Sequence, residues 1–168
     1  MVAQPSEWFA VLQARITRRN ALASLGAAGV VTFFEARPAA QETAEVAKIL
    51  VPLATLEAFL TTFLGAARER AERLKLSDEQ ARLLRAAQCA DEAHYHNLIA
   101  FGIQATTTRF SLSGSHYRNQ EAFFQSFEQV KQLAVGAYMA AARELAAAGA
   151  LRLVEIVYQI GAVEAQHL

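Results

Sequence analysis

The chain predicts an all-α fold, a bundle of four helices arranged as two antiparallel hairpins joined by one long crossover. Three observations carry this expectation. Past residue 41 no strand-like alternation persists, while apolar residues recur at steps of three and four. Hydrophobic residues make up 54% of the 168, much of that is alanine, and two of the three prolines fall in the first forty residues. The spacing between the helical stretches is short, long, short, and an up-and-down bundle would not need the long middle connection.

The first predicted helix spans about Thr43 to Leu74, with a kink expected at Pro52, where a backbone donor is missing. A few residues, "KLS", lead to the second helix, which begins at "SDEQ" (77–80). There Ser77 can cap the helix and Gln80 can reach back to it, a capping box. This helix runs to about Gly102, a residue suited to a helix end. The crossover "IQATTTRFSLSGSHYRN" (103–119) is rich in Ser and Thr. The third helix covers about Gln120 to Ala148 and stops at Gly149, and the fourth runs from Leu151 to the end of the sequence.

Sixteen basic and sixteen acidic residues give a formal net charge of zero, so no basic field draws in nucleic acid. A single cysteine, Cys89, excludes an intrachain disulfide and a cysteine-based zinc site.

Read at heptad steps, each helix has an apolar seam interrupted by a small polar set. The seams are Leu53, Glu57, Leu60, Leu64, Ala67; then Leu84, Ala87, Asp91, His94, Leu98, Phe101; then Phe124, Phe127, Lys131, Ala134, Tyr138, Ala141, Leu145; then Leu153, Val157, Ile160, Glu164, His167. Within "CADEAHYHNL" (89–98), the seam selects Asp91 with His94 for the core and leaves Glu92 with His96 on the flank. A buried charge costs several kcal/mol unless it is paired or binds a metal. Polar residues on all four seams therefore form a constellation. An acid-x-x-His step brings a carboxylate and an imidazole to one side of a helix, a donor set that suits iron or manganese.

Residues 17–34, "TRRNALASLGAAGVVTFF", resemble a twin-arginine signal. Arg18 and Arg19 precede fourteen residues without charge, Ala21 to Phe34, a run short for a membrane span of about 17–25 residues. Ala21 replaces the usual phenylalanine, and Pro38-Ala39-Ala40 departs from an Ala-x-Ala cleavage site. Residues 1–40 are thus expected to be a signal or anchor segment and 41–168 the bundle. The resemblance implies the twin-arginine export machinery as a partner and a periplasmic or cell-envelope location, with membrane attachment only through an uncleaved N-terminal segment. A buried amphipathic N-terminal helix is the alternative.

"LATLEAFL" (53–60), "ADEAHYHNL" (90–98), "VGAYMAAARELA" (135–146) and "YQIGAVEAQHL" (158–168) resemble the ferritin-like superfamily, most of all its exported bacterial branch with a twin-arginine leader. That resemblance implies a di-iron or di-manganese carboxylate centre for iron oxidation or for oxygen or peroxide handling. In it Glu57 would be the carboxylate of the first helix, Asp91 with His94 the first acid-x-x-His, and Glu164 with His167 the second. Homo-oligomers are common among such bundles. The third helix should supply a glutamate about seven residues before Tyr138; Lys131 stands there, with Glu128 one turn earlier as a reserve.

Lys131 opens three alternatives: an intact dinuclear site, a single or weak metal site, and no metal. Three carboxylates with one ammonium sum to about −2, enough for one divalent ion. An ammonium at 4 Å also repels a cation by about 4 kcal/mol at a surface-like dielectric. In the metal-free alternative the site is degenerate, Lys131 pairs with Asp91, Glu57 or Glu164, and the bundle is non-catalytic, with a structural or envelope-stress role. Tyr138, Cys89, Phe123, Phe124 and Phe127 are expected in the core, and His116, Glu144 and Glu155 at the surface.

Overall fold

The helix boundaries follow from local signals in the chain. A computed structural model of the protein describes residues 44–168; the expected signal or anchor segment lies outside the described residues. The helices are α1 (Ala44–Arg68), α2 (Asp78–Ala100), α3 (Gln120–Ala147) and α4 (Leu151–Gln166), with one 3-10 turn at Gly114–Tyr117 and no strand among the described residues. The expected four helices in an all-helical fold are present.

α2 opens on the capping box: Ser77 Oγ accepts from the Gln80 amide at 3.2 Å, and Gln80 Oε1 accepts from the Ser77 amide at 2.9 Å. Asn119 Oδ1 caps α3 by accepting from the Ala122 amide at 2.8 Å. Glycines close α2 and α3. Gly102 (φ 81°) and Gly149 (φ 76°) take the left-handed conformation. The amides of Ile103 and Ala150 then reach back to the carbonyls of Leu98 and Leu145.

α1 departs from expectation at its end. It stops at Arg68, six residues early, and the chain continues in hydrogen-bonded turns to Lys75 (φ 54°), where Leu76 N–H closes on Ala71 O. A lysine thus takes the left-handed position usually given to glycine. The helix runs through Pro52, which is exposed.

α1 packs on α2 and α3 on α4, and α1 also packs across onto α3. Gln120 Nε2 donates to Gln80 Oε1 at 2.8 Å, so α2 and α3 begin at the same end. The crossover must therefore return along the bundle. Its Thr106 amide donates to Thr55 Oγ1 at 2.9 Å and its Tyr117 hydroxyl to Phe63 O at 3.1 Å, which lays it along α1.

Two apolar clusters result. One gathers Leu50, Leu53, Leu98, Tyr138, Leu145 and Val157 from all four helices. The other gathers Phe63, Leu74, Leu84, Tyr117 and Phe123, with Phe63 and Phe123 stacked at 5.7 Å. No α4 residue enters this second cluster, because α4 has 16 residues against the 28 of α3. Leu112 and Tyr117 of the crossover pack there instead. Burying each large apolar side chain contributes about 1.5–3 kcal/mol. Along α1, α2 and α3 the polar seam residues fall between the positions that feed the two clusters, and on α4 Glu164 follows the residues that feed the first.

Candidate metal centre

Five charged or titratable side chains form a buried layer between the clusters: Glu57 from α1, Asp91 and His94 from α2, Lys131 from α3 and Glu164 from α4. Glu57, Asp91, Lys131 and Glu164 have no exposed surface, and His94 retains 7%. α4 reaches the layer through Gly161, where an added Cβ would lie 2.9 Å from Tyr138 Cβ and from Met139 Cε. That close approach to α3 brings Glu164, three residues on, into the layer.

Lys131 is the hub. Its Nζ donates to Asp91 Oδ1 and to Glu164 Oε2, both at 2.7 Å. Tyr138 Oη donates to Glu57 Oε1 at 2.5 Å. His94 Nδ1 stands 3.2 Å from Glu164 Oε1 and 3.6 Å from Glu57 Oε1, without an aligned hydrogen bond to either. Each of the four remaining members therefore keeps one buried atom unpaired: Glu57 Oε2, Asp91 Oδ2, His94 Nδ1 and Glu164 Oε1. One ligand atom from each of these same four residues lies within 4.8 Å of the others.

The environment sorts the acids. Burial pushes Glu57 above its ordinary value, and pushes Asp91 up to about 8 against the pull of Lys131. Burial acts the same way on Glu164, but His94 and Lys131 beside it outweigh burial and hold it at about 2. Burial alone would lower His94; Glu164 and Glu57 override it and raise it to about 9. Tyr138 is held well above its usual range by burial and by Glu57.

These donors fit one divalent ion. One ligand atom from each of the four converges, and once an ion displaces the protons on the raised acids and on His94, three carboxylates with one ammonium leave the charge that a single divalent ion neutralises. They do not fit two, because the ammonium bridges Asp91 and Glu164 where a second ion would need both.

Other sequence candidates fall outside this group. His167 caps α4, with Nδ1 4.0 Å from Glu164 Oε2, and burial beside Lys131 lowers it to about 4. Glu128 is exposed and accepts from Gln132 at 3.1 Å, so it is no reserve ligand; one turn before Lys131, it sits on the solvent side of the seam. Glu92 and His96 form an exposed pair at 4.0 Å, as the seam predicts. Cys89, expected in the core, is exposed because it lies off the α2 seam between Ala87 and Asp91. His116, expected at the surface, is partly covered, with Nδ1 3.0 Å from Ser126 Oγ. Glu144 and Glu155 are exposed.

Tyr138 touches the site more directly than its seam position shows: two turns from Lys131 along α3, it meets Glu57 across the bundle. Thr61, one turn after Glu57, carries a buried hydroxyl with no partner and was not singled out by the sequence pattern. The chain matches no family model, no curated protein and no solved structure.

Proposed function

We propose that this is an exported ferritin-like protein whose bundle centre holds one divalent iron or manganese ion. The observation that carries the reading is that buried Glu57, Asp91, His94 and Glu164 each bring one ligand atom within 4.8 Å of the others. Bound there, iron or manganese with an open position would supply redox chemistry toward oxygen or peroxide. The chain's own residues set the surroundings. Tyr138 orients Glu57 through its hydroxyl, Glu164 stays ionised beside His94, and the two apolar clusters keep bulk water from the layer. Aerobic loading with Fe(II) or Mn(II) followed by elemental analysis tests this. One ion per chain is expected, and none after His94→Ala; zero or two ions in the unaltered protein would reject it.

A second reading rests on the two 2.7 Å bonds of Lys131. In it the ammonium has taken over the metal's structural task, the site is degenerate, and the bundle is non-catalytic, in a structural or envelope-stress role. It predicts no ion in the unaltered chain and a gain of metal binding in Lys131→Glu.

The export part rests on Arg18, Arg19 and the apolar run after them. A reporter fused to residues 1–40 should leave the cytoplasm through the twin-arginine machinery, and Arg18→Lys with Arg19→Lys should stop it. α1 is also long and apolar enough to cross a membrane by length and composition. Its place in both apolar clusters, with Glu57 at the centre, fits a core helix better.

A further inference from the structure

Past Arg68 the chain leaves α1 in turns, which Leu76 N–H closes on Ala71 O at 3.0 Å. Between this winding, the end of α1 and the start of α2 lies a cavity of about 460 Å³, a size that suits a small molecule. We propose that the cavity binds a small organic anion. Its carboxylate or phosphate group sits on Arg68 and Arg85, and its apolar body lies against Ala71, Leu76 and Ala81. None of these residues belongs to the charged layer at the bundle centre, so the inference goes beyond the metal reading and does not depend on it.

Two helix faces supply the polar side. Gly65 and Arg68 are three residues apart on α1, as are Arg85 and Gln88 on α2, and all four line the cavity. Arg68 Nη1 donates to Gln88 Oε1 at 2.6 Å, which holds the guanidinium in place and fixes which way the Gln88 amide points. With its oxygen committed to Arg68, Gln88 presents Nε2 as a further donor. That nitrogen lies over Gly65, where an added Cβ would stand 3.3 Å from it, so the missing side chain keeps the amide close to α1.

Charge decides the ligand class. Among the described residues neither Arg68 nor Arg85 forms an ion pair with a carboxylate. The one acid lining the cavity, Glu69, is 79% exposed and stands 3.6 Å from Arg70, which matches its charge. Two guanidiniums on one cavity therefore lack a counter-charge, and they repel a metal ion. A guanidinium held through one N–H keeps a planar fork that takes two oxygens of one carboxylate or phosphate. Arg85 is exposed and can close on the same group from the open side. Ala71, Leu76 and Ala81 are half-buried and offer no polar side chain, so what the anionic group carries meets an apolar wall.

The test titrates the full chain with butyrate and with butyl phosphate at constant ionic strength, followed by proton–nitrogen NMR. The Gln88 side-chain amide and the Gly65 amide should shift saturably, with a dissociation constant of about 1 mM or below for the better probe. The tighter of the two probes assigns the head group as carboxylate or phosphate. Its counterpart without the apolar chain, acetate or inorganic phosphate, should bind about tenfold more weakly. Arg68→Gln and Arg85→Gln should each weaken binding by about tenfold or more, with circular dichroism reporting the intact bundle. Arg85 is exposed, so its variant carries the test even where Arg68→Gln unfolds. Arg82→Gln, at an exposed arginine of α2 outside the cavity, should leave binding unchanged. Shifts that stay linear with concentration, or that fall equally in Arg82→Gln, report screening of surface charge only and overturn the proposal. An unmoved Gln88 amide overturns it too. Acetate or inorganic phosphate binding as tightly as its longer partner overturns the organic class.

Discussion

His94 and His167 each follow an acid by three residues, yet they behave as opposites. His94 lies inside α2 with Glu57 and Glu164 from two other helices within 3.6 Å, and it is raised to about 9. His167 lies at the cap of α4 and meets only Glu164, at 4.0 Å; burial with Lys131 nearby lowers it to about 4. One helical spacing thus gives one histidine that keeps its proton and one that sheds it. The i, i+3 step fixes only how an imidazole relates to its own acid. The charges arriving from neighbouring helices decide the rest.

Removing Lys131 should disturb this contrast most. Lys131→Ala leaves Asp91 and Glu164 buried without their cation and should cost about 3–5 kcal/mol, read by chemical denaturation. It should also let His167 titrate nearer its ordinary value, followed by NMR, because a positive neighbour is gone.

pH separates the two histidines next. His94 binds its proton more tightly folded than unfolded, so its contribution is complete below about 6.5 and is lost as pH rises through about 9. The loss should approach about 3 kcal/mol in metal-free protein. Asp91, held up at about 8, adds to the alkaline loss. His167 has the reverse sign: its contribution is lost as pH falls from about 6.5 through about 4. Denaturation series across pH should therefore show that His94→Gln flattens the alkaline slope and His167→Gln the acid slope. Equal effects on both sides would end the contrast.

Metal titration sharpens it further. His94→Ala should weaken Fe(II) or Mn(II) binding by more than about 100-fold, whereas His167→Ala should weaken it by at most about 10–100-fold, the scale of an outer partner. The reverse ranking would place His167 in the site.

The smallest expected effect is at Tyr138. Tyr138→Phe leaves Glu57 Oε1 without its donor and should cost about 1–2 kcal/mol of stability by denaturation.

Much of the fold was legible in the sequence. The Ser77–Gln80 box, the glycines at 102 and 149 and the short, long, short spacing set three of the four helices and their pairing, because caps and turns act over a few residues. The early end of α1 was not legible, since the winding from Glu69 to Lys75 is held by backbone bonds and a left-handed lysine. Heptad reading brought Glu57, Asp91, His94, Lys131 and Glu164 to the core, because periodicity reports which face a residue shares. It could not place His167 or the Tyr138 hydroxyl. That outcome depends on where α4 ends against the layer and on how closely Gly161 lets α4 approach α3. The sequence by itself determined which charges would be buried, since apolar neighbours at three- and four-residue steps leave them no other face. Only the tertiary structure decided which charges meet: atom-to-atom distances between helices depend on axial offset and close approach, and no single-helix pattern encodes either.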